Sequence, residues 1–363
     1  MMLSQPARPT PPLAKLPPAA QWLALLVCSG LFGALLAHLA MPAAHFLGPM
    51  LVAIVFGVMG ASIRLPRIAF RLGQGCVGVM VAHAMTSAVL LAIINNWPVM
   101  ILATVLTVVF SALVGSLLVR YSSLPGSTAV WGTSPGAAAA MTAMAEDYGA
   151  DPRIVATMQY VRVVCVVVGA SLVSRFVADY HGVSSTPQDA FALDAQTFWP
   201  FVASIAIVLV GVSLGSRIPA GALLVPLLIA TALQLSGWID LFLPDWLLVI
   251  AYGVLGCYVG LRFDRKTVRT VVRSLPVMII SSLVLIVLCG LSAWALAPFL
   301  HTDFISAFLA TSPGGLDSLA IIAIDIKADA GLVLALQTLR LFGVIVTGPF
   351  LARQMLRLVK EPG

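Results

Sequence analysis

Two arginines stand in apolar text, Arg162 in "MQYVRVV" and Arg340 in "LQTLRLF", each three residues after a glutamine, Gln159 and Gln337. Residues three apart share a helix face, so each pair offers a guanidinium fork beside an amide. Such forks grip carboxylates through two parallel hydrogen bonds, which a lysine ammonium does not reproduce. Upstream of each pair comes the same tetrapeptide, Thr133-Ser134-Pro135-Gly136 and Thr311-Ser312-Pro313-Gly314. Proline suits the first turn of a helix, glycine lets backbones approach, and free N–H groups at such a start hold an anion. Together the two sets read as a binding site for an anion.

The candidate ligand-binding residues are Thr133, Ser134, Gly136, Gln159 and Arg162 in the first set. In the second they are Thr311, Ser312, Gly314, Gly315, Ser318, Gln337 and Arg340. Three roles fit the arginines. They bind carbonyl oxygens of their own segment and hold it in place, or touch the ligand directly or through water, or act as gating or counter-ion groups. The sets differ at one place, where "TSPGGLDSL" brings Asp317 and "TSPGAAAAM" brings only alanine. An unduplicated acid there is a candidate for proton or sodium coupling, or a carboxylate favoured by a helix N-terminus.

The elements that must position these residues are duplicated. Residues 133–162 align with 311–340 without a gap, and 11 of the 30 positions are identical, Asp147/Asp325 and Asp151/Asp329 among them. "PAAHFLGPMLVAIVFGVMG" from Pro42 also matches "PAGALLVPLLIATALQLSG" from Pro219. Apolar bias creates chance matches of leucine and valine but not of a paired glutamine and arginine, so the repeat is genuine.

The chain has 363 residues, 60% hydrophobic and 9% charged, with mean hydropathy +1.05, where a soluble domain carries about a quarter charged residues. Apolar runs recur at roughly 20–40, 46–62, 72–92, 97–119 and 153–176, then 198–215, 219–238, 246–262, 275–299 and 331–351; about 20 residues span a bilayer. The chain reads as an all-α, multi-pass membrane protein. The run Ala20–Ala40 is too long for the apolar part of a signal peptide and counts as a span.

Net charge +6 does not point to nucleic acid, because the bases sit in short loops where they set topology. The five cysteines, Cys28, Cys76, Cys165, Cys257 and Cys289, lie in apolar runs without CxxC spacing and read as packing residues. The five histidines are scattered, with no pair at metal-ligand spacing. No metal site, cofactor or catalytic set is expected, and the chain does not read as an enzyme.

Lysines and arginines choose the topology. If the two Thr-Ser-Pro-Gly segments dip into the membrane and return, each half has five spans and the halves are inverted. Arg64, Arg67, Arg71, Arg120, the cluster Arg262 to Arg273, and Arg353, Arg357 and Lys360 then all fall inside. The acidic loops with Asp179, Asp189, Asp194, Asp240, Asp245 and Asp303 fall outside, and Arg175 and Lys327 are the exceptions. Six spans per half would export the 262–273 cluster, against the positive-inside rule. The expectation is therefore an inverted repeat of five transmembrane helices plus one re-entrant hairpin per half, ten spans in all.

The parts are a Pro-rich disordered cytoplasmic tail at 1–19, a first repeat at 20–178 and a periplasmic linker at 179–197. A second repeat at 198–353 and a basic cytoplasmic tail at 354–363 complete the chain. Broken helices meeting near the bilayer midplane build the substrate sites of many secondary transporters. Asp151-Pro152 reads as a helix start, which places Arg162 about 15 Å into the bilayer. A central arginine costs about 2.5–3.5 kcal/mol and so faces an interior partner.

On the paired "TSPG" segments and the stretches "GADPRIVATMQYVRVV" and "KADAGLVLALQTLRLF", the chain resembles the bacterial AbrB family of membrane proteins, which is distinct from a soluble DNA-binding protein of the same name. The family's Pro-Gly-Gly tip is intact at Pro313–Gly315 and reads Pro135-Gly136-Ala137 in the first half. Family labels include an ammonia monooxygenase and a regulator of gene expression. The resemblance implies a bacterial inner-membrane protein. The residues imply a secondary transporter of a small organic anion, in contact with membrane lipid, with no nucleic-acid partner and compatible with a homo-oligomer. A channel or facilitator, or a membrane protein that affects gene expression indirectly, is the alternative reading.

Overall fold

The computed structural model describes residues 13, 16–39, 41, 43–85, 87, 91, 94–121, 126–134, 141, 150–177, 195–217, 221–263, 272 and 274–358. Side chains at 84, 153, 176, 177, 195, 196, 317 and 345–358 are outside that set. Among the described residues every regular element is a helix. In chain order they are α1 (Pro18–His38), α2 (Ala44–Val58), α3 (Arg67–Ala84), α4 (Trp97–Tyr121), α5 (Gly126–Thr133) and α6 (Pro152–Val177). After these come α7 (Ala195–Leu214), α8 (Gly221–Leu235), α9 (Asp245–Gly260) and α10 (Leu275–Leu300). The last three are α11 (Phe304–Thr311), α12 (Leu316–Asp325) and α13 (Ala330–Leu358). Most of the tail expected at 1–19 and of the linker expected at 179–197 lies outside the described residues, and Pro18 and Ala19, placed in that tail, begin α1 instead. Helix α13 continues to Leu358, beyond the boundary expected at 353.

Among the described residues, five helical segments are long and apolar enough to cross a membrane: Pro18–His38, Trp97–Tyr121, Ile154–Arg175, Thr197–Arg217 and Leu275–Leu300. Leu23 and Leu31 on α1 and Val287, Leu291 and Trp294 on α10 are exposed, as lipid-facing side chains are. Of the ten spans expected, those at 46–62, 219–238 and 246–262 correspond to α2, α8 and α9, which have 15 or 16 residues. At 1.5 Å per residue that is about 23 Å, short of a hydrocarbon core of about 30 Å.

Sequence punctuation sets the helix ends. Proline begins α1 and α6, and Pro66 and Pro244 precede α3 and α9 in the same extended conformation. Asp303 caps α11, its carboxylate accepting the Ser306 N–H at 2.9 Å.

The helices pack as two groups, each drawn from both halves of the chain. One contains α1, α2, α3, α7, α8 and α9, and the other contains α4 to α6 and α10 to α13. They meet along α3, which touches α12 and α13. Inside the first group the halves cross over. Gly256 and Gly260 of α9 come against Phe46 and Met50 of α2, and Phe263 against Gly57, so α2 and α9 run parallel. A Cβ at Gly256 would lie 2.3 Å from the Phe46 carbonyl oxygen, which is why glycine stands there. Helices α3 and α8 are parallel too: Gly75 and Gly78 meet Ala222 and Leu223, and Gln234 donates to the His83 carbonyl at 3.3 Å.

Between α3 and α9 the order reverses. Phe70 stacks on Tyr258 at 4.1 Å, Gly73 meets Leu255, and the Tyr252 hydroxyl donates to Met80 Sδ at 2.7 Å, so these two helices are antiparallel. It follows that α2 and α8 run in opposite directions, as do α3 and α9.

Candidate functional site

Helix α11 stops after eight residues, and the chain runs extended through Ser312 and Gly315 before α12 begins. A helix that ends inside a protein leaves carbonyl oxygens without partners, and burial makes each one costly. Helix α13 supplies the missing donors. Gln337 Nε2 donates to the carbonyls of Leu309, Ala310 and Ser312 at 2.9, 3.3 and 3.0 Å. Arg340 donates from one η nitrogen to Ser312 O at 2.6 Å and from the other to Gly314 O at 3.2 Å and to Gln337 Oε1.

The first half repeats the three glutamine bonds and the arginine bonds to the serine carbonyl and the glutamine oxygen, and differs in the second carbonyl its arginine meets. Gln159 Nε2 donates to Trp131 O, Gly132 O and Ser134 O at 3.1, 3.4 and 3.0 Å. Arg162 donates to Ser134 O at 2.9 Å, Thr133 O at 3.4 Å and Gln159 Oε1 at 2.7 Å. The far ends of the arms are tied alike: Thr128 Oγ1 accepts the Asp151 N–H at 3.1 Å and Ser306 Oγ accepts the Asp329 N–H at 2.9 Å.

Of the roles open to the arginines, the geometry therefore realises the hold on carbonyls of their own segment. Both side chains are buried, Arg162 at 4% and Arg340 at 7% exposure. Neither forms an ion pair with a carboxylate among the described residues. The two clamps are neighbours: Gly314, whose carbonyl Arg340 holds, packs on Val166, one turn of α6 after Arg162, and Cys289 of α10 joins them through its carbonyl, which accepts from Thr311. Among the described residues, three buried polar atoms of the two clamps have no hydrogen-bond partner: Nε of Arg162, Nε of Arg340 and Oγ of Ser312. Two guanidinium N–H donors and the hydroxyl of Ser312, the residue whose carbonyl Arg340 holds, suit an anion.

The other expected residues divide. Gly314 and Gly315 pack against Val166 and Val163 of α6, which brings the second break beside the helix that carries Arg162. Thr133 and Thr311 turn their hydroxyls back to Ala129 O and Ala307 O, each at 2.9 Å. Ser318 donates to Gly315 O at 3.0 Å. No side chain caps α12, so its first N–H groups remain for another acceptor. Asp317 is the second residue of α12, and its side chain lies outside the described set, as does all of Gly136.

Sequence reasoning missed the α4–α10 contribution. Thr107 donates to Thr311 O at 3.4 Å, and Thr311 to Cys289 O at 3.3 Å. Ser111 and Cys289 occupy equivalent positions of the repeat, 178 residues apart, and that offset was the available signal. It missed Asp325 as well. The Asp325 carboxylate accepts the Ala43 N–H at 2.6 Å and so links α12 to the start of α2.

A family described as "Transition state regulatory protein AbrB" matches residues 46–356. The chain is 44% identical over 346 residues to "Putative regulator AbrB" of Escherichia coli (strain K12), covering 93% of this chain and 97% of that one. It is 26% identical over 292 residues to "Uncharacterized protein YhjN" of Bacillus subtilis (strain 168), covering 77% of this chain and 76% of the other. With that extent of match joined to a helical, membrane-type fold, the chain belongs to the AbrB family.

Proposed function

We propose that the protein is a secondary-transporter-like membrane protein that moves a small organic anion through a site between two opposed re-entrant hairpins. The observation that carries this reading is the duplicated clamp, Gln159–Arg162 and Gln337–Arg340, which leaves two positive charges close together in the core with their Nε donors unused. In this reading the arginines shape the tips. The anion takes the remaining Nε–H donors, the Ser312 hydroxyl and the open N–H groups of α12.

The opposed directions of α2 and α8, and of α3 and α9, support an inverted repeat. The two helix groups, joined along α3, offer the bodies whose relative movement alternates access. The proposed setting is the bacterial inner membrane, crossed many times, with both termini cytoplasmic and the basic loops inside. Asp317 remains the candidate for proton or sodium coupling.

A regulatory reading is favoured by the words attached to the family and to the Escherichia coli relative. It is compatible with transport, because a moved solute changes expression without DNA contact. A channel or facilitator would use the same site without coupling. Reconstitution into liposomes separates these readings. Uptake of short-chain mono- and dicarboxylates driven by an imposed proton or sodium gradient is expected for a coupled transporter. Equilibration insensitive to either gradient would indicate a facilitator, and no flux of any anion would overturn the proposal.

A further inference from the structure

Away from the hairpins, aromatic and basic side chains from α3, α6 and the end of α9 gather where α3 begins and α9 ends. The ring of Phe70 stacks on Tyr258 at 4.1 Å with 21° between planes, which seats the first turns of α3 against the last turn of α9. Arg67 stands one turn before Phe70 and Arg71 directly after it. Arg262, just past α9, donates to the Tyr258 hydroxyl and lies 4.7 Å over that ring, so its exposed guanidinium is held in one place. From α6 comes Tyr160, half-buried, its ring edge-on to Phe263 at 6.3 Å. Phe263 directly follows Arg262, so this contact brings the Tyr160 ring beside the end of α9 that carries the guanidinium.

Among the described residues no carboxylate pairs with Arg67, Arg71 or Arg262. A guanidinium has five N–H donors, and the single bond from Arg262 to Tyr258 leaves most of them unused. Three positive charges and a phenol hydroxyl make a cradle for a phosphate. The surroundings choose its source. Val55, Val58 and Met59 at the end of α2 and Ile68 in the first turn of α3 are exposed. The end of α2 reaches the cradle, since Gly57 packs on Phe263, the residue after Arg262. A soluble phosphate has no use for an apolar apron, whereas a phospholipid covers it with its acyl chains.

We propose that Arg67, Arg71, Arg262 and Tyr160 form a site for the headgroup phosphate of an anionic membrane phospholipid. The site is independent of solute transport and requires only that the chain lie in a bilayer. It goes beyond the role of these arginines as topology signals, because it assigns them a defined ligand and a tyrosine partner. Anionic headgroups add attraction for each basic residue near the surface, and binding to the folded state raises its thermal midpoint.

The test uses purified, delipidated full-length protein in an uncharged detergent. Phosphatidylglycerol is expected to raise the unfolding midpoint by several degrees and to remain bound in native mass spectrometry, while phosphatidylcholine does neither. The Arg67→Gln/Arg262→Gln double variant is expected to bind phosphatidylglycerol about thirtyfold more weakly, with its lipid-free midpoint lowered only by the loss of the exposed Arg262–Tyr258 contact, and Tyr160→Phe should weaken binding less. If the double variant folds poorly, Arg67→Lys/Arg262→Lys keeps the charge and should retain part of the shift. Equal shifts with phosphatidylcholine, equal shifts with glycerol 3-phosphate alone, or undiminished binding by the glutamine variant would each overturn the proposal.

Discussion

Arg340 and Ser312 are joined by a hydrogen bond of 2.6 Å from guanidinium to carbonyl, and the same guanidinium reaches Gly314 at 3.2 Å. One side chain thus spans the break between α11 and α12 and meets acceptors that a terminated helix would leave bare. Arg162 and Ser134 repeat the relationship at 2.9 Å. The charge sits deep in the protein because the break does.

Arginine-to-lysine variants should therefore lose stability. A lysine offers one nitrogen and cannot meet two carbonyls and the Gln337 oxygen in the same geometry. Arg340→Lys is expected to cost about 3 kcal/mol, since hydrogen bonds to charged groups contribute about 1.5–3 kcal/mol each and orphaned carbonyls add to the loss. Arg162→Lys should behave alike. Thermal unfolding in detergent measures both, and unchanged midpoints would show that the carbonyls find other donors.

Glycines at the second tip should respond unequally. A Cβ at Gly314 would lie 2.8 Å from both Leu319 Cδ1 and Val166 Cγ1. Gly315 has φ −77°, and a Cβ there would meet Ser318 Oγ at 3.1 Å and Val163 only at ordinary contact, 3.8 Å. Gly314→Ala is expected to cost about 1–3 kcal/mol through overpacking, and Gly315→Ala much less. Equal losses in a thermal unfolding assay would contradict this packing.

That difference bears on what could be read from sequence. The first half carries glycine at the position equivalent to Gly314 and alanine at the one equivalent to Gly315, as the packing of the second tip allows. The Gln–Arg pairs, their common face and the start of α6 at Pro152 were legible because each is local and duplicated. Which arginine role prevails was not legible, because it depends on where the carbonyls of a distant break lie. The pairing of α2 with α9 and α3 with α8 was hidden too. It rests on single glycines such as Gly78 and Gly256, whose partners lie far away in sequence.

Topology gives an independent check. In a background without native cysteines, Thr267→Cys in the basic loop should resist an impermeant thiol reagent applied from the periplasmic side and react once the membrane is opened. Ready labelling of intact cells would contradict the inverted arrangement.

Asp325 should couple the two helix groups. Its carboxylate accepts the Ala43 N–H at the mouth of α2, where a helix N-terminus favours negative charge. Asp325→Ala is expected to cost about 1.5–3 kcal/mol and to speed amide exchange in the first turn of α2. Asp325→Asn, which still accepts a hydrogen bond, should cost less. Identical exchange rates in all three proteins would remove the linking role.

The most direct test of anion transport through this site is Ser312→Ala, measured for uptake and for stability together. The Ser312 hydroxyl is buried without a partner, so its deletion should leave the unfolding midpoint unchanged or slightly raised. If the hydroxyl contacts the carried anion, uptake of the preferred short-chain carboxylate into proteoliposomes should show a KM about five- to tenfold higher, the worth of one hydrogen bond of about 1–1.5 kcal/mol. A stable Ser312→Ala protein with wild-type uptake kinetics would contradict the account.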